Sequence, residues 1–232
     1  LYKCKKAIAG LSTGFDKLDR MTSGLQPADL VIVAGRPSMG KTTFAMNLCE
    51  AVAIKEDRPV LIFSMEMPGE ALVMRMLSSL GRINQQNLRT GHINETEWPR
   101  ILSSTRMLSQ KKIFIDDTPA LSPLEMRARA RRVAREVGGQ LGVVMVDYLQ
   151  LMQGPPGYDN KATEVGEISK GLKTIARELN VPVIALSQLN RGVESRTDKR
   201  PMMSDLRESG AIEQDADVIA FLYREEYYAK EK

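Results

Sequence analysis

Two cysteines, Cys4 and Cys49, are too few and too far apart for a disulfide framework, and no C-x-x-C spacing offers a zinc site. No apolar run approaches the length of a membrane span, and no charged-then-apolar leader precedes a small-residue cleavage site. A soluble chain in a reducing cytoplasm, without a membrane partner, is therefore the expectation. The single histidine, His92, falls in a polar turn and reads as plain surface. Charge is only mildly unbalanced, at +4, which says little about partners. Neither end looks like a natural terminus: Leu1 stands where an initiator methionine would be, and the last residues are charged, so the chain reads as a fragment.

What is present suffices for a full core, since 43% of 232 residues are hydrophobic. Residues 1–8 are basic and aperiodic, and residues 1–9 read as a linker remnant ahead of one α/β domain at 10–232. Apolar runs at 60–63, 113–115, 143–146, 181–186 and 217–223 read as strands. Helical periodicity falls at 44–55, 70–80, 124–137 and 162–179. A further helix is expected after Asn94 or Thr96, with Glu97 placed for a capping box and Pro99 in its first turn. Gly154-Pro155-Pro156-Gly157 reads as loop, and a long charged loop is expected over 190–210. Near-continuous apolar strands alternating with helices predict a mostly parallel central sheet with helices on both faces. Ligands of such sheets sit at the carboxyl ends of the strands. The methionines, such as Met74 and Met76, read as core filler.

The chain is organised around residues 29–48. The run Leu30-Val31-Ile32-Val33-Ala34 breaks at Gly35-Arg36-Pro37-Ser38-Met39-Gly40-Lys41-Thr42-Thr43 and resumes as Phe44-Ala45-Met46-Asn47-Leu48. That is G-x-x-x-x-G-K-[ST] between strand and helix, the pattern of a phosphate loop. A multiply charged phosphate chain needs inward-pointing backbone N–H groups, glycines that leave them unobstructed, and the positive end of a helix dipole. Lys41 is then placed for the terminal phosphates and the Thr42 hydroxyl for Mg²⁺.

Removing a terminal phosphate further requires a metal-holding carboxylate, a group that orients or deprotonates water, and a contact that detects the γ-phosphate. Two apolar runs end in aspartate, at Asp147 and at Asp116-Asp117, and both are candidates for the metal. Asp147 follows the longer and more apolar run; Asp116-Asp117 is followed by Thr118-Pro119, a turn and helix-entry signature. Tyr148 stands where many phosphate-loop enzymes place a glutamate, so the base must come from another strand end. Glu66 ends the run that follows the phosphate-loop helix and is a candidate base; a solvated loop glutamate is the competing reading. Gln188, past the fifth strand, is a candidate γ-phosphate reader, against an ordinary loop glutamine. The segment after it carries Arg191, Arg196, Lys199, Arg200 and Arg207 with Gly192 and Gly210, a mixture suited to a nucleic-acid backbone or to solvated surface. Arg127, Arg131 and Arg135 form a stripe that reads as plain surface or a subunit contact.

These motifs occur together and in order with Phe63-Ser64-Met65-Glu66-Met67-Pro68, Val146-Asp147-Tyr148-Leu149-Gln150-Leu151-Met152, Ser187-Gln188-Leu189-Asn190-Arg191, and the stretch from Asp205-Leu206-Arg207-Glu208-Ser209-Gly210 to Asp217. Over essentially its whole length the chain resembles the C-terminal, RecA-like motor domain of the bacterial replicative DNA helicase family DnaB. The resemblance implies a RecA-like P-loop NTPase that uses ATP and Mg²⁺ and moves 5′ to 3′ on single-stranded DNA as a homo-hexamer. It assigns nucleotide contacts to residues 35–43, Lys41 and Thr42 among them, and a weaker one to Arg75. Glu66 becomes the catalytic carboxylate, Asp147 the metal-side aspartate and Gln188 the γ-phosphate sensor. Arg207, Glu208 and Gly210 match the family's DNA-gripping loop. Primase and a helicase loader are the partners implied for the full-length protein. The family's N-terminal helical domain is expected to precede Leu1, and its trans-acting lysine and arginine to follow Lys232. Two other readings of the residues remain, a strand-exchange ATPase of the same fold and a non-catalytic, nucleotide-gated DNA clamp.

Overall fold

Strands and helices alternate along the chain because the apolar runs lack the polar alternation a half-exposed strand would show, so each strand needs cover on both faces. The structure, a computed structural model, describes residues 8–154, 157 and 160–229, and only the main chain of 207–210. Most of the expected linker, Pro155-Pro156 in the expected loop and the side chains of Arg207 and Glu208 lie outside the described residues.

In chain order the elements are α1 (Asp16–Thr22), β1 (Leu30–Gly35), α2 (Lys41–Lys55), β2 (Val60–Ser64), α3 (Gly69–Gly81), α4 (Gln85–Thr90) and α5 (Trp98–Ser109). They continue with β3 (Ile113–Asp116), α6 (Pro123–Glu136), β4 (Val143–Asp147), α7 (Lys161–Leu179), β5 (Val183–Gln188), α8 (Gly192–Ser195), α9 (Gly210–Asp215), β6 (Val218–Phe221) and α10 (Glu225–Ala229). Short 3₁₀ turns cover Leu149–Leu151 and Met203–Ser209. Among the described residues six strands form one parallel sheet in the order β3-β2-β4-β5-β1-β6.

Each central strand divides its side chains between two cores with the period of two that a pleated strand imposes. Ile32, Phe63, Val146 and Ala185 face the α6 and α7 side, where Met126, Ala130, Ile168 and Leu172 meet them. Val33, Ile62, Met145 and Ile184 face the other side, against Leu48, Val52, Leu72 and Met76 of α2 and α3. Each of these side chains larger than alanine contributes about 1.5–3 kcal/mol when fully buried. Met76 is core as expected, whereas Met74 is only half-buried. No helix among the described residues is long and apolar enough to cross a membrane.

Register carries this packing to the ligand end. Gly35 lies opposite Gln188 across β1 and β5, and Ser64 opposite Asp147 across β2 and β4. The exits of all four strands therefore open on the same edge of the sheet.

Several local expectations are corrected. Helix α2 starts at Lys41 rather than 44, and the expected 190–210 loop contains α8 and a 3₁₀ turn. At α5 neither Asn94 nor Thr96 is the cap: Glu97 takes the N-cap position, and its carboxylate accepts the Asn94 N–H at 2.9 Å. Four short helices, α1, α4, α9 and α10, lie outside the expected elements; α4 buries none of its residues, so no apolar periodicity could announce it. The stripe on α6 is partly tied down, with Arg127 and Arg131 both paired to Glu178 of α7.

Candidate nucleotide site

Between β1 and α2 the chain turns through two left-handed residues, Ser38 at φ 64° and Gly40 at φ 91°. The strain belongs to the turn, since a side chain at Gly40 would meet nothing within 4 Å yet would have to adopt a conformation L-residues avoid. The turn aims the first amides of α2, which no helical carbonyl can accept, into the space beyond the sheet. That geometry, with the helix dipole behind it, suits an anion.

A cleft of about 340 Å³ lies over this turn, lined by Pro37, Ser38, Gly40, Lys41, Thr42 and Thr43 from the loop and α2. Glu66 and Met67 beyond β2, Arg75 on α3, Tyr148 beyond β4 and Gln188 at the end of β5 complete its walls. Four chain segments far apart in sequence thus converge on one volume.

Behind Thr42 lies Asp147, 1% exposed, whose Oδ2 accepts the Thr42 hydroxyl at 2.8 Å. Burial raises the Asp147 pKa above the ordinary carboxylate range; the Thr42 hydrogen bond opposes that rise and the nearby Glu66 charge adds to it. Lys41 donates from Nζ to the Arg36 carbonyl at 3.1 Å, and burial lowers its pKa while Asp147 and Glu66 pull it back up. Arg75 carries a buried Nε with no hydrogen-bond partner among the described residues. A buried donor left in that state is costly unless something accepts it, so the cleft's cations and amides are matched to a polyanion. The Thr42 and Asp147 oxygens are the hard donors Mg²⁺ takes, in the low number it accepts beside phosphate oxygens and water.

The two aspartate candidates part company here. Asp116 lies on the edge strand β3 and is hydrogen-bonded twice by Arg129, at 2.9 and 2.7 Å, and once by the Thr118 N–H at 3.1 Å. Burial pushes its pKa up, but those partners outweigh burial and hold it below the usual range. Asp117 accepts the Gly69 N–H at the start of α3, at 2.9 Å. Both are occupied in fixing the fold around β3, two strands from Asp147.

Not every residue of the motif faces the cleft. The Arg36 side chain turns away: its Nη1 donates to the Leu189 carbonyl at 2.7 Å and its Nε to Glu194 on α8 at 2.9 Å. Residue 36 therefore offers the cleft side its main chain alone. The Met39 side chain is buried in the core, 5% exposed. Tyr148 has no role in the sequence reading beyond standing where a glutamate is common, yet it lines the cleft; its place one residue beyond a strand end is the signal available.

A second cavity of about 340 Å³ adjoins, bordered by Arg36, Gln150, Lys161, Asn190, Arg191 and Asp205 among others, and Gln188 borders both. Asn190 and Arg191 are exposed here, at the start of the basic segment. Arg196 is committed elsewhere, gripping Asp205 through Nη1 at 2.8 Å and Nη2 at 2.9 Å. Lys199 and Arg200 lie over the rings of Tyr228 and Tyr223 at 4.7 and 5.9 Å.

A family profile described as the DnaB-like helicase C terminal domain matches residues 10–232. The chain belongs to the DnaB-like helicase family. It is 60% identical over 223 residues to the replicative DNA helicase DnaB of Pasteurella multocida, covering 95% of this chain and 48% of that protein. It is 58% identical over 232 residues to the replicative DNA helicase DnaC of Bacillus subtilis, covering 100% of this chain and 51% of that one. The chain thus spans about half the length of these curated relatives. Among solved structures, the ATPase domain of G40P superposes with a TM-score of 0.94 at 40% identity, covering 100% of this chain and 82% of that one. A DnaB-like replicative helicase described with its primase interactions gives the same score and identity, with 56% of its chain covered. The DnaB-like family fixes the fold as RecA-like α/β and implies nucleotide-driven activity.

Proposed function

We propose that this chain is the ATP-hydrolysing motor segment of a replicative DNA helicase, coupling turnover of Mg²⁺-ATP to 5′ to 3′ movement on single-stranded DNA. The observation that carries the proposal is the one cleft that gathers the glycine-rich turn, Lys41, Thr42, Glu66, Arg75 and Gln188 above the Thr42–Asp147 pair.

In this reading the main chain of residues 35–43 cradles the phosphates, with Lys41 and Arg75 supplying positive charge. Thr42 and Asp147 hold Mg²⁺, which when bound neutralises charge developing on the phosphate oxygens. Glu66, exposed at the cleft mouth, orients the attacking water and accepts its proton. Gln188 contacts the terminal phosphate; because it also borders the second cavity, loss of that phosphate is felt in the segment beginning at Leu189. That segment, through Arg191 and the Arg207, Glu208 and Gly210 stretch, takes the phosphate backbone of one DNA strand. The assembly is a homo-hexameric ring in the cytoplasm with ATP at each subunit boundary, and the full-length protein engages primase and a loader.

The test measures ATP turnover with and without a single-stranded oligonucleotide, together with unwinding of forked duplexes, on full-length protein. Stimulation by the oligonucleotide and unwinding that requires a 5′ tail are expected. Pairing of homologous strands without unwinding would instead mark a strand-exchange ATPase, and nucleotide-gated DNA binding without turnover a clamp.

A further inference from the structure

Resting on the reading that Gln188 meets the nucleotide, we infer that Gln150 is a positioning residue that holds Gln188 in place and joins the two cavities. The hydrogen-bonded pairing of β4 with β5 ends at Val146 opposite Ala185, three residues before Gln188. On its other side Gln188 is still paired, with Gly35 of β1. The gap on the β4 side is filled by a side chain. Gln150, in the 3₁₀ turn that follows Asp147, accepts the Gln188 N–H through Oε1 at 3.2 Å and donates from Nε2 to the Gln188 carbonyl at 3.2 Å. The same Nε2 donates to Ser187 Oγ at 3.0 Å.

A side-chain amide carries one acceptor and two donors in a plane, so here it replaces the missing peptide group of β4 and extends the ladder to the residue that faces the nucleotide. Gln150 also borders the second cavity beside Asn190 and Arg191. A strand of phosphates lying there presses on a side chain whose far contacts are the main chain of Gln188. The Asp147 and Gln188 ends are thus tied by a side chain that does not line the nucleotide cleft.

Neither methionine nor glutamate can make this pair. Met fills similar space without donor or acceptor. Glu keeps an acceptor for the Gln188 N–H but sets a carboxylate oxygen against the Gln188 carbonyl, losing the donor.

The experiment compares full-length wild type, Gln150→Met and Gln150→Glu by steady-state ATP turnover with saturating single-stranded oligonucleotide, by nucleotide and oligonucleotide affinity, and by thermal melting. Both variants are expected to lose about tenfold in stimulated kcat, the size of effect a sub-ångström misplacement of a reacting group can produce, with KM for ATP within about twofold of wild type. Stimulation retained in both variants would overturn the inference. So would parallel losses of nucleotide affinity, oligonucleotide affinity and melting temperature, because those mark a residue that merely supports the fold. Absence of stimulation in the wild type removes the motor reading itself, and the inference with it; a stimulated wild type with stimulated variants removes only the role of Gln150.

Discussion

Replacing Asp147 with asparagine separates what this residue does for the fold from what it does for the ligand, because the two effects have opposite signs. The carboxylate is 1% exposed and accepts the Thr42 hydroxyl, which an amide oxygen at the same place can also accept. Burial raises its pKa above the value of the unfolded chain. A raised carboxylate pKa stabilises the protein below the unfolded pKa, and that contribution disappears as pH rises through the folded pKa. At neutral pH the ionised group is therefore a burden, about 1.4 kcal/mol for every tenfold by which folding weakens the acid. Asp147→Asn removes it, so without nucleotide the variant melts at or above the wild-type temperature at pH 7, and the difference narrows towards pH 4. With Mg²⁺-nucleotide at about a hundred times its dissociation constant, wild type gains about 2.7 kcal/mol. For a domain of this size that is roughly 5–10 °C. Asp147→Asn should show little of this rise when Mg²⁺ is present. The assay is a thermal shift series between pH 4 and 8 with EDTA, Mg²⁺ and a slowly hydrolysed ATP analogue. An equal Mg²⁺-dependent rise in variant and wild type would remove Asp147 from the metal site.

Lys41→Ala should abolish nucleotide binding or turnover, and wild-type ATPase rates in that variant would refute the cleft. Glu66→Ala should keep nucleotide affinity while turnover falls by about 10²–10⁴, the range expected for a lost general base; equilibrium binding beside single-turnover kinetics separates the two. Arg207→Ala should weaken single-strand binding and reduce the salt slope by about one phosphate contact, and an unchanged slope would take Arg207 off the DNA path.

The sheet was legible because its strands carry the strongest local signal a chain offers, short β-branched runs bounded by turns. Strand exits then indicated where polar residues would gather, and the register of Gly35 with Gln188 and of Ser64 with Asp147 brings them to one edge. Three things were not legible. The first turn of α2, Lys41-Thr42-Thr43, has no apolar periodicity, since its groups face the cleft rather than the core. The competition between Asp116 and Asp147 depended on Arg129, a partner thirteen positions away that neutralises one aspartate and not the other. The direction of Arg36 depended on Leu189 and Glu194, more than a hundred and fifty positions along the chain, and no local pattern encodes such a contact.

Arg36 also has a consequence for variation at its position. Its guanidinium reaches a carbonyl and a carboxylate on separate segments from one planar fork, at 6% exposure. A lysine there would bring the same charge as a single compact ammonium, unable to span both acceptors, and would leave Leu189 or Glu194 unanswered. Position 36 should therefore discriminate between the two basic residues more sharply than any surface arginine, even though its side chain points away from the cleft that its own glycine-rich turn borders.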